Sequence, residues 1–541
     1  MKVTMKTIFR LTFLLPLIAL SLTGCKKSAD STEKRRGYSS QNITINIANE
    51  PQTLDPRKVR ALTDTNLVRM FMEGLTRVDK KGKASLALAE KVSVSSDLKT
   101  YTFTLKASQW SNGDPLTSQD FAYAWKKSLS PQFNAPNANM LYVIKNAKEA
   151  KTGKLPLSLV GIETPNDKTL IVELNHPTPY FLELITHPIY FPVNRSVDRA
   201  NSHWAENHTT YVGNGPFSLH DWKHHNVIDA RKNERYWDKK TVQIADLKMV
   251  MVTEDTGFNM FGTRELNWDG SPFSTIPIDA IQSLKSQEKL QVAPVLATQW
   301  IRVNITQGPL RSTKLRKALA YAIDRQAIVD HIAQGNQIPA TGIVPVAMGL
   351  QKEPLFKDGD LSKAQDLFGE ALEELKISPD QLSSLTLMYA SAERNHLMAQ
   401  AIQEQWRQAF GFQIALEPVE SKVFFDRVSK KNYTLSLGNW FADFNDPINF
   451  LEVFKTKDVG TNNTNWENPG YTELLETSSY CQNANERQAL LRQSEQIIMN
   501  DMPVIPIFHF TMLYIQDDTL KDVVLTTMGN IDFKYAHIEK E

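Results

Sequence analysis

Cysteine is almost absent from this chain: Cys25 and Cys481 are the only two in 541 residues. No Cys/His cluster has the spacing of a zinc site. An excess of one charge is also missing. Lys and Arg total 61 against 60 Asp and Glu, whereas a dedicated nucleic-acid binder carries a basic surplus. The sequence holds no G-x-S-x-G, H-E-x-x-H or G-x-G-x-x-G and no Walker lysine. S-x-x-K occurs at Ser31, Ser96 and Ser286, and K-T-G at Lys151. The S-D-N element that would accompany them in a penicillin-interacting serine enzyme is missing, so that reading is set aside. His220, His224 and His225 fall in "SLHDWKHHNVIDARK", which reads as a hairpin, and they are expected on its turn rather than on a metal. "VGNGPF" is glycine-rich, but Pro216 removes an N–H that a phosphate cradle would use. A tight turn entering a strand is expected there. After Cys25 no apolar run reaches the roughly 20 residues of a membrane span.

What is present begins with Lys2, Lys6 and Arg10, followed by the short apolar run "LTFLLPLIALSL". That pattern is a secretory signal, assigned to residues 1–24. It ends in "LTGC", which resembles the lipobox of bacterial lipoproteins, so Cys25 is the expected lipidation site. Residues 25–40 are polar and charged, and read as a flexible lipid-anchored tether. With Cys25 acylated, Cys481 has no partner and no internal disulfide forms. The core alone must then stabilise a chain long enough for two or three domains.

The mature part alternates strands and helices, an α/β or α+β pattern. "NITINIANE", "KTYTFTLK" and "KTLIVELN" read as strands. "DTNLVRMFMEGL" reads as a helix with Asp64 as a cap, and "TSQDFAYAWKKSL" as a helix capped by Thr117 or Ser118. Residues 313–335 read as one long helix closed by Gly335, and residues 395–411 as another stopped by Gly411. The tryptophans are spread through the chain, and most are expected in cores, with a few lining a cleft.

One stretch poses a chemical question. "NWFADFNDP" sets Asp443 and Asp446 among Trp440, Phe441 and Phe444. A carboxylate held in apolar surroundings is costly without a cation or several N–H donors. The partner is an internal Lys or Arg, a metal, or a group that arrives from outside. Asp446, directly before Pro447, suits a turn.

Five segments carry a wider likeness: "ANEPQTLDPRKVRALTDTNLVRMFMEGLTRVDKKG", "YTFTLKASQWSNGDPLTSQDFAYAWKKSLSP", "GNGPFSLHDWKHHNVIDARKNERYWD", "LRKALAYAIDRQAIV" and "NWFADFNDP". In this order they resemble the solute-binding proteins of peptide ABC importers, the oligopeptide- and dipeptide-binding family, over nearly the whole mature chain. The resemblance implies a periplasmic-binding-protein-like two-lobe fold of the three-domain type. Domain I would comprise residues 41–72, 197–297 and 511–541, domain II residues 73–196, and domain III residues 298–510. It implies no catalysis, cofactor, metal or nucleic acid. The partners would be a peptide ligand, inner-membrane permease subunits and a lipid anchor, for a monomer in the bacterial cell envelope, periplasmic or extracytoplasmic. The acid of the W-x-A-D motif, here Asp443, would receive the peptide's α-amino group. Segments around Leu62 and at Asn439, Trp440 and Phe441 would hold its backbone as an added strand. Trp440, Trp300 and His509 would wall side-chain pockets. The family pattern breaks at Arg60, Asn137 and Leu437, where relatives of the oligopeptide type carry an acid, a tyrosine and an arginine. Arg60 is therefore expected to take the C-terminal carboxylate or an acidic side chain. Murein peptides, haem and nickel chelates are alternative ligands within the superfamily, and an exported hydrolase is the alternative of another class.

Overall fold

The structure, a computed structural model, describes residues 41–458 and 460–539. The signal, the tether and Cys25 lie outside the described residues. An eleven-stranded mixed sheet forms the backbone of the molecule. Two 13-residue antiparallel strands, Gln291–Val303 and Val504–Gln516, run side by side at its centre. On one flank lie Trp268–Gly270, Asn42–Asn46, Asp246–Val250, Val227–Lys232 and Phe217–Lys223, in that order outward. On the other lie Leu435–Phe441, Thr386–Ala390 and Ala415–Val419. The central pair slips register between Pro294 and Thr298 and again at Gln299 and Trp300. Pro294 offers no N–H to the ladder, so an irregularity beside it is physically natural.

Residues 89–173 build a separate antiparallel sheet, ordered Ala89–Val94, Thr100–Leu105, Thr169–Glu173 and Ile162–Asn166. Along Thr100–Leu105, Tyr101, Phe103 and Leu105 are buried while the threonines are half-buried, as the period-2 pattern requires. The helix Ser118–Ser128 packs on this sheet. Thr117 and Asp120 close its first turn as a reciprocal capping box. The strands Phe217–Lys223 and Val227–Lys232 form the expected hairpin. On its turn, His224 Nδ1 meets Glu50 Oε1 at 2.6 Å.

Some helices depart from their expected bounds. The first spans Leu62–Phe71 with Ala61 as its N-cap, so Asp64 sits inside the first turn rather than ahead of it. It stops at Phe71 because the chain turns extended at Met72 and the Phe71 carbonyl accepts from Gly215 N–H at 2.8 Å. The glycines of "VGNGPF" permit that approach: a Cβ on Gly213 would lie 2.2 Å from the Phe71 oxygen. The expected long helix breaks into Thr313–Tyr321 and a short run from Arg325. Asp324 caps the second piece through Ala327 N–H, and the buried Arg325 guanidinium occupies the carbonyls of Ala320, Ile323 and Pro506. Gln334, in the left-handed region, closes it one residue before Gly335. The helix Glu393–Phe410 ends on Gly411, as read.

A buried ionic knot fastens the start of the fold to the helix Arg195–Ala200. Arg57 Nε and Nη2 bind Asp55 at 2.8 and 2.7 Å, and Nη1 and Nη2 bind Asp198 at 3.0 and 2.7 Å. Asp198 also accepts from Tyr123 and Lys127, both at 2.6 Å, and from the Trp204 indole at 3.1 Å. Desolvation opposes the Asp198 charge, but the Arg57 bonds, with Lys127 and Tyr123, hold its carboxyl well below the usual range. Trp110, Trp125, Trp204, Trp268, Trp300 and Trp406 are fully buried.

Candidate functional site

The strand Leu435–Phe441 begins in the core and ends in the open. Leu435, Ser436 and Leu437 are buried, whereas Asn439 and Phe441 are exposed. One side of the strand pairs with Gln291–Val303 as far as Phe441–Ala297. On its other side Thr386–Ala390 reaches only Leu435 and Ser436. Ala442 N–H bonds Leu296 O at 2.8 Å, so the backbone groups of even-numbered residues point toward the Gln291–Val303 strand. Alternation then directs the N–H and C=O of Asn439 and Phe441 to the unpaired edge. This is a ready template for one more strand.

Asp443 lies just past that edge. Its N–H and the Trp440 indole both donate to Asn449 Oδ1, at 3.2 and 2.9 Å. The Asn449 amide also bonds the Asp443 carboxylate. Burial pushes the Asp443 pKa up, and the Asn449 bond offsets part of the rise. Yet the residue is exposed to water, not enclosed as its apolar neighbours suggest. The two facts agree for a group on the wall of a hollow, with protein behind it and solvent in front. The aromatic neighbours pair elsewhere: Phe444 stacks on Tyr180 at 4.6 Å, and Phe441 meets Phe510 at 5.1 Å. Asp446 is satisfied internally. It accepts from Ile448 N–H and from two nitrogens of Arg487 at 2.7 and 2.9 Å. Among the described residues no cation pairs with Asp443.

His509 and Thr298 share a row of the sheet with Trp440. Thr298 Oγ1 gives its one proton to Ile343 O at 2.9 Å, so it accepts from His509 Nδ1, also at 2.9 Å. Burial pushes the His509 pKa down to about 3, leaving a neutral ring. His509 lines a cavity of about 680 Å³ together with Val344, Phe356 and Glu495. Trp300, expected to wall a pocket, is instead buried edge-to-face against Phe454 at 5.7 Å.

The remaining expected residues gather around a second segment. Asn137 Nδ2 donates to Val59 O at 3.0 Å, which places it beside Arg60. Arg60 is exposed, and Leu62 is 40% exposed and packs over Gly529. The turn at 526–529 links the two groups, since Leu296 N–H bonds Thr527 O at 2.7 Å while Leu296 O accepts from Ala442. Asn449, Thr298 and Arg302 also belong to this region, and the motif pattern did not point to them.

Comparison with known proteins places this geometry. Residues 83–462 match the bacterial extracellular solute-binding proteins, family 5 (middle region). The chain is 38% identical over 536 residues to the oligopeptide-binding protein OppA of Bacillus subtilis, covering 98% of each chain. It is 32% identical to the dipeptide-binding protein DppE of Bacillus subtilis, over 96% of this chain and 97% of that one. Among solved structures, the unliganded open form of the murein tripeptide-binding protein MppA shares the fold, with a TM-score of 0.81 at 24% identity over 93% of this chain and 98% of that one. OppA of Haemophilus influenzae in complex with RPPGFSPFR gives a TM-score of 0.75 at 26% identity, over 93% of this chain and all of that one. The chain therefore belongs to the family 5 bacterial extracellular solute-binding proteins and has their two-lobed α/β fold.

Proposed function

We propose that this protein is the extracytoplasmic receptor of an ABC importer, capturing peptides between its lobes and delivering them to the permease. The observation that carries this reading is an open strand edge at Asn439 and Phe441 that leads to an acid without a cation. A peptide laid along the edge exchanges main-chain bonds with Asn439 and Phe441, a contact that ignores side-chain identity. Its α-ammonium meets Asp443, a charge-assisted bond worth about 1.5–3 kcal/mol. Arg60, exposed on the Leu62 side, takes the C-terminal carboxylate or an acidic side chain. Lobe closure by hinge motion then removes water from the pair. In this reading residues 41–72, 197–297 and 511–541 form domain I, residues 73–196 domain II and residues 298–510 domain III. Cys25 carries the lipid that holds a monomer at the membrane, and incorporation of labelled fatty acid should vanish in Cys25→Ser.

The receptor reading is tested by stripping bound ligand through unfolding and refolding, then melting the protein with mixed tripeptides, free or N-acetylated. Ligand at about 100 times its Kd adds roughly 2.7 kcal/mol of stability. The expected result is stabilisation by the free amines alone, lost in Asp443→Asn. Equal shifts with both sets would keep the receptor and remove the role of Asp443. Absence of any shift would overturn peptide capture, and turnover of the peptides would indicate an exported hydrolase.

A further inference from the structure

Arg302 is the only charged residue in "QWIRVN", and among the described residues no acid answers it. It lies directly across from Ser436 and shares a sheet face with Trp300, whose ring centroid is 6.0 Å from its Cζ. Its side chain crosses the neighbouring strand over Gly438, where a Cβ would fall 1.7 Å from Nη1. Only glycine leaves room for that path. The crossing carries the guanidinium to the unpaired edge, where Nη2 makes a long 3.3 Å bond to Asn439 O. Nη1 is buried and has no acceptor. Two buried neighbours on the same face share that condition, Trp300 Nε1 and Ser436 Oγ. Burial lowers the pKa of Arg302, with only the distant influence of Tyr433 opposing it. Of these three unanswered groups the charged one, the Arg302 guanidinium, reaches the carbonyl that an added strand would use. A half-buried guanidinium without an anion is unfavourable, and a carboxylate matches its fork.

We propose that Arg302 is a specificity-determining residue that binds a carboxylate of the ligand beside Asn439. The inference rests on the peptide-receptor reading. It adds a chemical preference to a site whose main-chain contacts have none. When a ligand strand takes Asn439 O, the guanidinium gives up its long bond there and turns its fork onto the carboxylate. The source is an acidic side chain or the C-terminus, and the two are separable.

The test is calorimetric titration of the ligand-free full-length protein with free-amine tripeptides. One arm moves Glu or Gln through each position of an alanine tripeptide. The other compares each peptide with its C-terminal amide. The expected result is at least about a tenfold preference for Glu over Gln at one position, or for the free C-terminus over the amide. That preference should disappear in Arg302→Met and shrink in Arg302→Lys, while the penalty for N-acetylation persists. Gly438→Ala, which displaces the guanidinium and keeps its charge, should lose the preference as well. If free-amine peptides bind but neither carboxylate matters, or if the preference survives in Arg302→Met, the Arg302 proposal falls alone. If no peptide binds the native protein, it falls together with the receptor reading.

Discussion

The knot at Arg57 gives the sharpest stability prediction. Arg57, Asp55 and Asp198 have side chains only 1–2% exposed. Arg57→Met removes both forks while leaving a side chain that fills part of the space. The two carboxylates are then stranded unequally. Asp198 keeps Lys127, Tyr123 and Trp204. Asp55 keeps the backbone N–H of residue 57 and Lys58 at 3.9 Å. Removing one partner of a buried pair costs about 3–5 kcal/mol, against a total stability of about 5–15 kcal/mol. Most of that cost should come from Asp55. Arg57→Met should therefore be severe at neutral pH, and milder when made in a chain that already carries Asp55→Asn. Urea unfolding followed by tryptophan fluorescence reads both. A loss below about 1 kcal/mol, or an equal loss with and without the Asp55→Asn change, would refute the reasoning.

Other outcomes follow from single groups. The raised pKa of Asp443 means that affinity for free-amine peptides should begin to fall at a higher pH than for an ordinary aspartate, measurable by titration at successively lower pH. Glu495 is fully buried, and burial raises its pKa from 4.5 to about 7 against the bonds from Val344, Gln351 and Ile343. The folded state thus holds a proton that the unfolded chain has released, and stability falls as pH rises from 4.5 toward 7. The contribution is on the order of 3 kcal/mol, and Glu495→Gln should flatten that part of the urea-midpoint profile. Gly213→Ala drives a Cβ into the Phe71 carbonyl and should lower stability by about 1–3 kcal/mol, seen as a lower Tm.

Local pattern was enough for elements whose bonds are local. The capping box at Thr117, the alternation of Thr100–Leu105 and the stop at Gly411 are all decided within a few residues. The break near residue 324 was not legible, because apolar spacing continues through it. The buried Arg325 guanidinium draws on Pro506, far along the chain. At the site, the acid of "NWFADFNDP" was legible and its surroundings were not. Whether Asp443 is enclosed depends on where Phe441 and Phe444 find partners, and these are Phe510 and Tyr180. The open edge depends on where Thr386–Ala390 ends, which the sequence of the edge strand does not encode. Arg302 left one local trace, a lone charge in an otherwise uncharged strand.

The unpaired edge has a consequence for self-association. Free strand edges are templates for one another, and Phe441, 51% exposed, adds an apolar face to this one. Crowding copies together would raise the local concentration of such edges. Here the edge runs only from residue 437 to residue 441, with the Arg302 guanidinium on the Asn439 carbonyl and Asp443 just past the end. Two copies docking edge to edge would bring like charges together in a partly desolvated seam. A short ligand offering an ammonium and a carboxylate meets both charges with their opposites. On the receptor reading, Asp443 and Arg302 would thus also act as gatekeepers against aggregation, so removing them should make the empty protein stickier as well as less selective.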